Sequence, residues 1–302
     1  MTFKLCAVAL AWLSATAAIA QHVEPFPANC SMCKEWNEPQ APFKVAANTW
    51  YVGTKELSAL LITGPKGHIL LDGALPQSAA QIEANIKQLG FRLADVKLIV
   101  NSHAHFDHAG GIAALQAKSG ATVAASASGA QWLRDGTAGS DDPQYDPADR
   151  FFWPKVSTVR AVGDGEMLRV GPLTLTAHLT PWHTPGSTTW SWQSCEQGRC
   201  LNMVYADSLT AMSADGFRFS GDATHADRSA SFRATMDKVA ALPCDVIIST
   251  HPDATDTMER LAARTPAKNT FIDPSGCRTY AAAARVKLEA RLASEAATAV
   301  AK

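Results

Sequence analysis

An α/β fold in which two β-sheets pack as a sandwich with helices outside is what this sequence predicts. Three observations carry it. Short β-branched runs recur with helix-period stretches between them. The order of elements, a meander and then β-α-β, occurs twice along the chain. Hydrophobic residues make up 47% of 302 positions, enough to fill a large interior, and no linker separates the halves.

Taken in order, residues 21–46 are rich in Pro, Asn, Gln and Cys and read as an irregular arm. Thr49–Val52, Ser58–Thr63 and His68–Asp72 alternate as strands, with Pro65-Lys66-Gly67 as a turn, which makes an antiparallel meander. Ile82, Ile86 and Leu89 fall at helical spacing, so residues 80–89 form a helix stopped by Gly90. Val96–Val100 is a buried-looking strand, Gly111–Lys118 a helix, and Ala121–Ala124 a further strand. Residues 136–156 read as a loop. Strands follow near Val159 and Met167, then over Leu173–Leu179, Thr188–Trp192 and Leu201–Tyr205. A helix over 226–242, a strand over Val246–Thr250 and an Ala-rich helix from about Tyr280 complete the chain. The expected organisation is one domain over residues 21–302.

Met1–Ala20 has one positive charge, Lys4, then an apolar run, then Ala18-Ile19-Ala20 as a small-residue cleavage site. That is the pattern of a signal peptide cut near Ala20, and it implies a periplasmic or secreted chain. The run is shorter than a bilayer requires, and no later segment is longer and equally apolar. The expected mature protein has no membrane association. Charge excludes another class: 27 Lys and Arg against 28 Asp and Glu leave no basic excess for a phosphate backbone, so no nucleic acid is expected.

Export favours disulfides among Cys30, Cys33, Cys195, Cys200, Cys244 and Cys277. Cys195 and Cys200 flank a turn-like stretch between two strand-like runs, where a local bridge fits. A bridge from Cys277 could staple the last helix to the body. Cys30 and Cys33 read as structural, their partners open.

The chemistry lies in His103-Ala104-His105-Phe106-Asp107-His108, which follows a buried strand and precedes a helix. In extended backbone, residues i and i+2 face one side, so His103 and His105 can reach one cation. Asp107 and His108 lie where the chain turns and can aim at a second. Gly110 and Gly111 give that turn freedom and add little bulk. Imidazole and carboxylate are zinc's usual ligands, and this many polar groups at a strand end would be costly without a cation. His183 and His251 each follow a buried-looking strand, as the cluster does. His22, His68, His178 and His225 lack that placement and read as structural or surface residues.

These residues resemble the metallo-β-lactamase superfamily, through HAHFDH, then HTPGS, ADS and STHP. The narrower resemblance is to class B metallo-β-lactamases of the third subclass, through WNEPQAPF, VGTKELSALLIT, ILLDGALPQS, NSHAHFDHAGG, TAHLTPWHTPGSTTWSW, VYADSL and LPCDVIISTHP, which run from Trp36 to Pro252. The first His of the motif is retained as His103, unlike in the second subclass. No Cys stands near Ser208, unlike in the first.

The resemblance implies an αβ/βα four-layer sandwich of two mixed sheets and two Zn²⁺ ions. His103, His105 and His183 would hold the first ion; Asp107, His108 and His251 the second. It implies hydrolysis of penicillins, cephalosporins and carbapenems by a hydroxide bridging the zincs, oriented by Asp107, and hence antibiotic resistance. Ser208 and Thr210 would bind the substrate carboxylate. Cys244–Cys277 and Cys195–Cys200 look like disulfide pairs of the subclass. Asp72 is expected beside a ligand His, and Trp36, Phe152 and Trp153 on an apolar rim. The alternative enzyme is a hydrolase of thioesters, lactones or phosphodiesters on the same fold, in which Asp207 would bridge both metals. A secreted zinc-binding or sensor protein is the non-enzymatic alternative; three ligands per ion, leaving room for water on each, argue against it.

Overall fold

The computed structural model describes residues 26–27 and 29–300. The signal peptide expected over Met1–Ala20 and the reading of His22 lie outside the described residues.

Seven strands form the first sheet in sequence order: β1 (Phe43–Ala46), β2 (Thr49–Tyr51), β3 (Leu60–Ile62), β4 (His68–Leu71), β5 (Val96–Val100), β6 (Thr122–Ser126) and β7 (Val159–Val162). β1 to β4 pair antiparallel, as a meander of short connections must; β4 to β7 pair parallel. The crossovers carry α2 (Ala79–Gln88), α4 (Ile112–Ser119) and α5 (Ala127–Asp135), while α1 (Cys33–Trp36) and α3 (Phe106–Ala109) are single turns. The second sheet has the order β12-β11-β10-β9-β8 over β8 (Met167–Val170), β9 (Leu173–Leu179), β10 (Thr188–Glu196), β11 (Arg199–Ala206) and β12 (Val246–Ser249). Only β11 and β12 are parallel, joined through α6 (Ser229–Ala240). Then come α7 (Thr257–Ala262) and α8 (Gly276–Val300). No helix among the described residues is long and apolar enough to cross a membrane.

Strand periodicity makes this a four-layer structure. In β4, Ile69 and Leu71 enter the core between the sheets, while Leu70 packs outward with Ile82, Ile86 and Leu115 of the helices. In β11, Met203 and Tyr205 face the shared core, while Val204 and Ala206 join Phe232, Met236 and Leu288 on the other side. Strands apolar at successive positions are thus buried on both faces, and three cores separate helix, sheet, sheet and helix. The expected αβ/βα sandwich is the one found.

Three disulfides fix the periphery. Cys195–Cys200 closes the β10–β11 hairpin, whose register pairs the two residues directly. Cys244–Cys277 ties the first turn of α8 to the approach to β12. Cys30–Cys33 closes a loop beside α1.

Local sequence misjudged several elements. The arm is not wholly irregular: Phe43–Ala46 is β1, and the Phe43 ring stacks at 4.8 Å on Tyr51 and 5.7 Å on Phe271, contacts remote in sequence. α5 has a Gly inside it, a breaker signal; Ser126 caps it by accepting from the Gly129 N–H, and Trp132 and Leu133 bury one face. The helix expected over 226–242 spans Ser229–Ala240, and the last helix begins at Gly276.

Candidate metal centre

Both sheets end at one edge, and loops leaving their strands meet there. β5 stops at Val100, and the next residues are tied to Asp72, just beyond β4. Its Oδ1 accepts from Asn101 Nδ2 at 2.9 Å and the Ser102 N–H at 2.7 Å; its Oδ2 accepts from Ser102 Oγ at 2.6 Å and Tyr205 Oη at 2.8 Å. Burial pushes the Asp72 carboxyl up to about 6, against opposition from His108 and Ser102. Asp72 was expected beside a ligand His; among the described residues it hydrogen-bonds to none of them, although the His108 charge acts on it, and it fixes the backbone entering His103.

His105 is still extended (φ −95°, ψ 160°), and α3 begins immediately after it. His103 and His105 therefore project together, their rings 4.7 Å apart, while Asp107 and His108 sit on the single turn that follows. The chain then packs back against the end of β4. Gly110 and Gly111 do not serve by turn freedom, since their φ values are −55° and −82°. They serve by size: a Cβ on Gly111 would lie 2.2 Å from the Gly73 carbonyl oxygen, and one on Gly110 2.3 Å from Pro76 Cδ.

His183, beyond β9, brings its ring to 4.7 Å from His103 and 5.1 Å from His105. His251, beyond β12, lies 4.8 Å from His108 ring to ring. Two groups result. His103, His105 and His183 place ligand atoms within 4.8 Å of one another. Asp107 Oδ2, His108 Nε2 and His251 Nε2 converge at 3.1–3.2 Å. All six residues singled out in the sequence come together.

Hydrogen bonds fix how the first three imidazoles face. His103 Nδ1 donates to Asp207 Oδ1 at 2.6 Å, and His105 Nε2 to Asp142 Oδ2 at 2.7 Å. His183 Nδ1 lies 3.1 Å from the Thr210 carbonyl oxygen, which can only accept, so Nδ1 carries the proton. The lone pairs of His103 Nε2 and His105 Nδ1 are left for something else, and that of His183 Nε2 meets only the Gln144 amide at a long 3.5 Å. His103 Nε2 is buried without a hydrogen-bond partner among the described residues.

Burial, with neighbouring imidazoles, holds His103 well below the ordinary histidine range and brings His183 to about 3, so both are neutral, the form that ligates. Burial raises the Asp107 carboxyl, but His108 and His251 outweigh it and keep the group ionised. Two imidazole nitrogens and a carboxylate oxygen meeting at one point, beside an unpartnered imidazole nitrogen, fit a divalent cation. Oxygen and nitrogen donors of this kind suit zinc among others.

His105, Asp107, His183 and His251 floor a cleft of about 880 Å³ lined by Trp36, Tyr145, Phe151, Trp153, Ser208, Thr210 and Met212, among others. Trp36 and Trp153 take the expected rim positions. Phe152 does not: it is 62% exposed, and its neighbour Phe151 lines the cleft instead. His68, His178 and His225 bond to Gly64, Ser191 and Asp222, away from both groups. Asp142 and Gln144, which bond His105 and His183, were missed in the sequence, because a polar loop offers no periodic signal.

Fold and site together define a metal-dependent α/β sandwich with its centre where two sheets end. Residues 55–191 match the family model described as the metallo-beta-lactamase superfamily. The Rm3 metallo-beta-lactamase structure is 52% identical, with a TM-score of 0.85 over 88% of this chain and 98% of that one. MEM-A1, a subclass B3 metallo-beta-lactamase isolated from a soil metagenome library, is 50% identical, with a TM-score of 0.84 over 87% and 99%. A hydroxyacylglutathione hydrolase of Methylobacterium nodulans is 32% identical over 116 residues, 38% of this chain; the match spans only 35% of that relative's length. The chain belongs to the metallo-β-lactamase superfamily, among the subclass B3 metallo-β-lactamases.

Proposed function

We propose that this chain is a zinc-dependent hydrolase that opens the β-lactam ring of penicillins, cephalosporins and carbapenems and so confers resistance. His103, His105 and His183 hold one Zn²⁺, and Asp107, His108 and His251 a second. Residues 21–302 form one domain, exported behind a signal peptide cut near Ala20.

When bound, zinc supplies Lewis acidity toward a carbonyl and lowers the pKa of water toward neutrality. The chain's own groups do the rest. Asp107 is the catalytic carboxylate: ionised on the cleft floor, it orients the attacking water. Asp207, Asp142 and Thr210 hold the three imidazoles of the first group in one tautomer each, so the site needs no reorganisation when substrate enters. His183 Nδ1 also lies 3.0 Å from Thr210 Oγ1, which lies 2.9 Å from Ser208 Oγ. When Thr210 donates to Ser208, the Ser208 hydrogen is left to meet the ring carboxylate of the substrate.

The observation that carries the β-lactamase reading over the rival is the place of Asp207. In the rival, this carboxylate would bridge both metals; here its Oδ1 accepts from His103 Nδ1, on the side of the ring away from the orphaned Nε2, and its Oδ2 is buried without a hydrogen-bond partner among the described residues. The partial likeness to a hydroxyacylglutathione hydrolase keeps thioesters as the comparison substrate.

The test is turnover of a chromogenic cephalosporin by the purified protein, before and after chelation and after zinc is restored, with a thioester in parallel. Zinc-dependent lactam hydrolysis is expected. Zinc-dependent thioester turnover without lactam turnover would refute the reading. The amino terminus of exported protein, determined by mass spectrometry, should be Gln21.

A further inference from the structure

We propose that Arg150 is a specificity-determining residue that receives a carboxylate carried on the acyl side chain of the substrate. This rests on the β-lactamase reading above and adds to it a preference for doubly anionic substrates.

Arg150 follows α5 in the loop that forms one wall of the cleft. Its guanidinium is held in place. Cζ lies 5.5 Å from the Tyr145 ring and 5.1 Å from the Phe152 ring, and Nη2 donates to Thr137 Oγ1 at 3.0 Å. That hydroxyl in turn donates to the Phe151 carbonyl at 2.9 Å. A guanidinium fixed this way loses little rotamer freedom when it takes a further ligand.

Its charge is not neutralised by the protein: among the described residues no carboxylate forms an ion pair with it. Three of the four acids of its own loop are engaged elsewhere. Asp142 accepts from His105, Asp146 from the Ala148 N–H and Asp149 from Asn29 Nδ2. Among the described residues, Arg150 Nε is buried without a partner, and so is the indole Nε1 of Trp153, three residues on along the same wall. An uncompensated, fixed cation on an aromatic wall calls for an anionic, aromatic-bearing ligand.

The ring carboxylate of a β-lactam is already assigned to Ser208 and Thr210. What remains for Arg150 is a second anion, and Tyr145, Phe151 and Trp153 supply the apolar surface for an aryl group beside it. An arylmalonyl side chain has both parts; an arylacetyl side chain has the aryl group alone.

The experiment compares zinc-loaded wild type, Arg150→Ala and Arg150→Lys on two penicillins that differ only in this second carboxylate. For Arg150→Ala, kcat/KM on the arylmalonyl substrate should fall about tenfold, the size of one charge-assisted hydrogen bond. The loss should sit in KM, while the arylacetyl substrate changes by less than about twofold and Arg150→Lys recovers part of the loss. Equal loss on both substrates, or none on either, overturns the proposal. Calorimetric titration of the same proteins with phenylmalonate and phenylacetate gives a readout independent of turnover. A wild-type preference for phenylmalonate that Arg150→Ala removes supports the inference, and its absence overturns it. Failure of the wild type to open any lactam would instead strike the functional reading and leave the titration to decide the role of Arg150.

Discussion

Replacing Asp72 separates hydrogen bonding from charge at the point where the first sheet hands the chain to the site. Its carboxyl is fully buried, sits at φ +60°, and accepts from Asn101, the Ser102 amide and hydroxyl, and Tyr205. Asp72→Ala strips these donors of an acceptor. The Tyr205 hydroxyl retains the Ser58 carbonyl at 3.0 Å, but the Ser102 amide keeps no alternative. At roughly 1–3 kcal/mol for each of the three donors left stranded, plus about 1 kcal/mol for a left-handed Ala, the expected loss is about 4 kcal/mol or more where Asp72 is protonated. Asp72→Asn behaves differently. The amide oxygen keeps the Asn101 and Ser102 N–H bonds, the amide nitrogen can donate to the two hydroxyl oxygens once they turn, and Asn tolerates positive φ.

The pH dependence follows from the same residue. The folded value of about 6 lies above the ordinary 3.8, so the stability due to this group is full below 3.8 and lost as pH rises through about 6. Asn removes that slope and should gain on wild type between pH 4 and 7 by up to roughly 3 kcal/mol. Urea unfolding of chelated protein across this range is the assay, since chelation keeps metal binding out of the comparison. Asn as damaging as Ala at pH 7, or Ala within about 1 kcal/mol of wild type at pH 4, where the Asp72 ionisation cost is small, would refute the reasoning.

Other outcomes follow from contacts at and around the site. Gly111→Ala would put a Cβ 2.2 Å from the Gly73 carbonyl, so thermal unfolding should show a loss of about 2 kcal/mol or more, and the α3 turn should shift with it. Asp142→Ala frees His105 Nε2; competition with a chromogenic chelator should find zinc held about 10–100-fold more weakly, with the fold intact by circular dichroism. Replacing Cys244 and Cys277 by Ser opens a link across 33 positions at the first turn of α8; denaturant titration should show a loss of about 2–4 kcal/mol.

The six residues proposed as ligands were legible in the sequence because each lies beyond the end of an apolar strand: β5 and β12 are buried almost throughout, while β9, which leads to His183, buries alternate residues. A strand buried on both faces reads as a short run of Val, Ile and Leu, as Val96–Val100 and Val246–Ser249 do, and the polar residue that follows stands out. The residues that orient the ligands were less legible. Asp207 follows β11 and was noticed, but whether its carboxylate meets a metal or a histidine depends on packing between sheets rather than on spacing. Asp142 and Arg150 lie in a loop with no period, so their partners appear only when the loop is folded back onto the cleft. Asp72 was placed at the right edge with the wrong partner, because the chain direction after β4 depends on a left-handed residue that no hydrophobic pattern records.

The two groups do not each belong to one sheet. His103, His105, Asp107 and His108 hang from β5 of the first sheet, while His183 and His251 come from β9 and β12 of the second. Each group is therefore completed across the core that holds the sheets together, where Val100, Leu71 and Tyr205 are buried with Trp190 and Ile248. The Trp190 indole N–H donates to the Asn101 carbonyl at 3.1 Å, and the Tyr205 hydroxyl to Asp72, so polar groups from the second sheet grip the segment of the first that leads into His103. This seam transmits sheet packing to the donor atoms. It also accounts for large aromatic residues at these positions: a smaller apolar side chain could fill space but could not also satisfy a buried carbonyl or carboxylate.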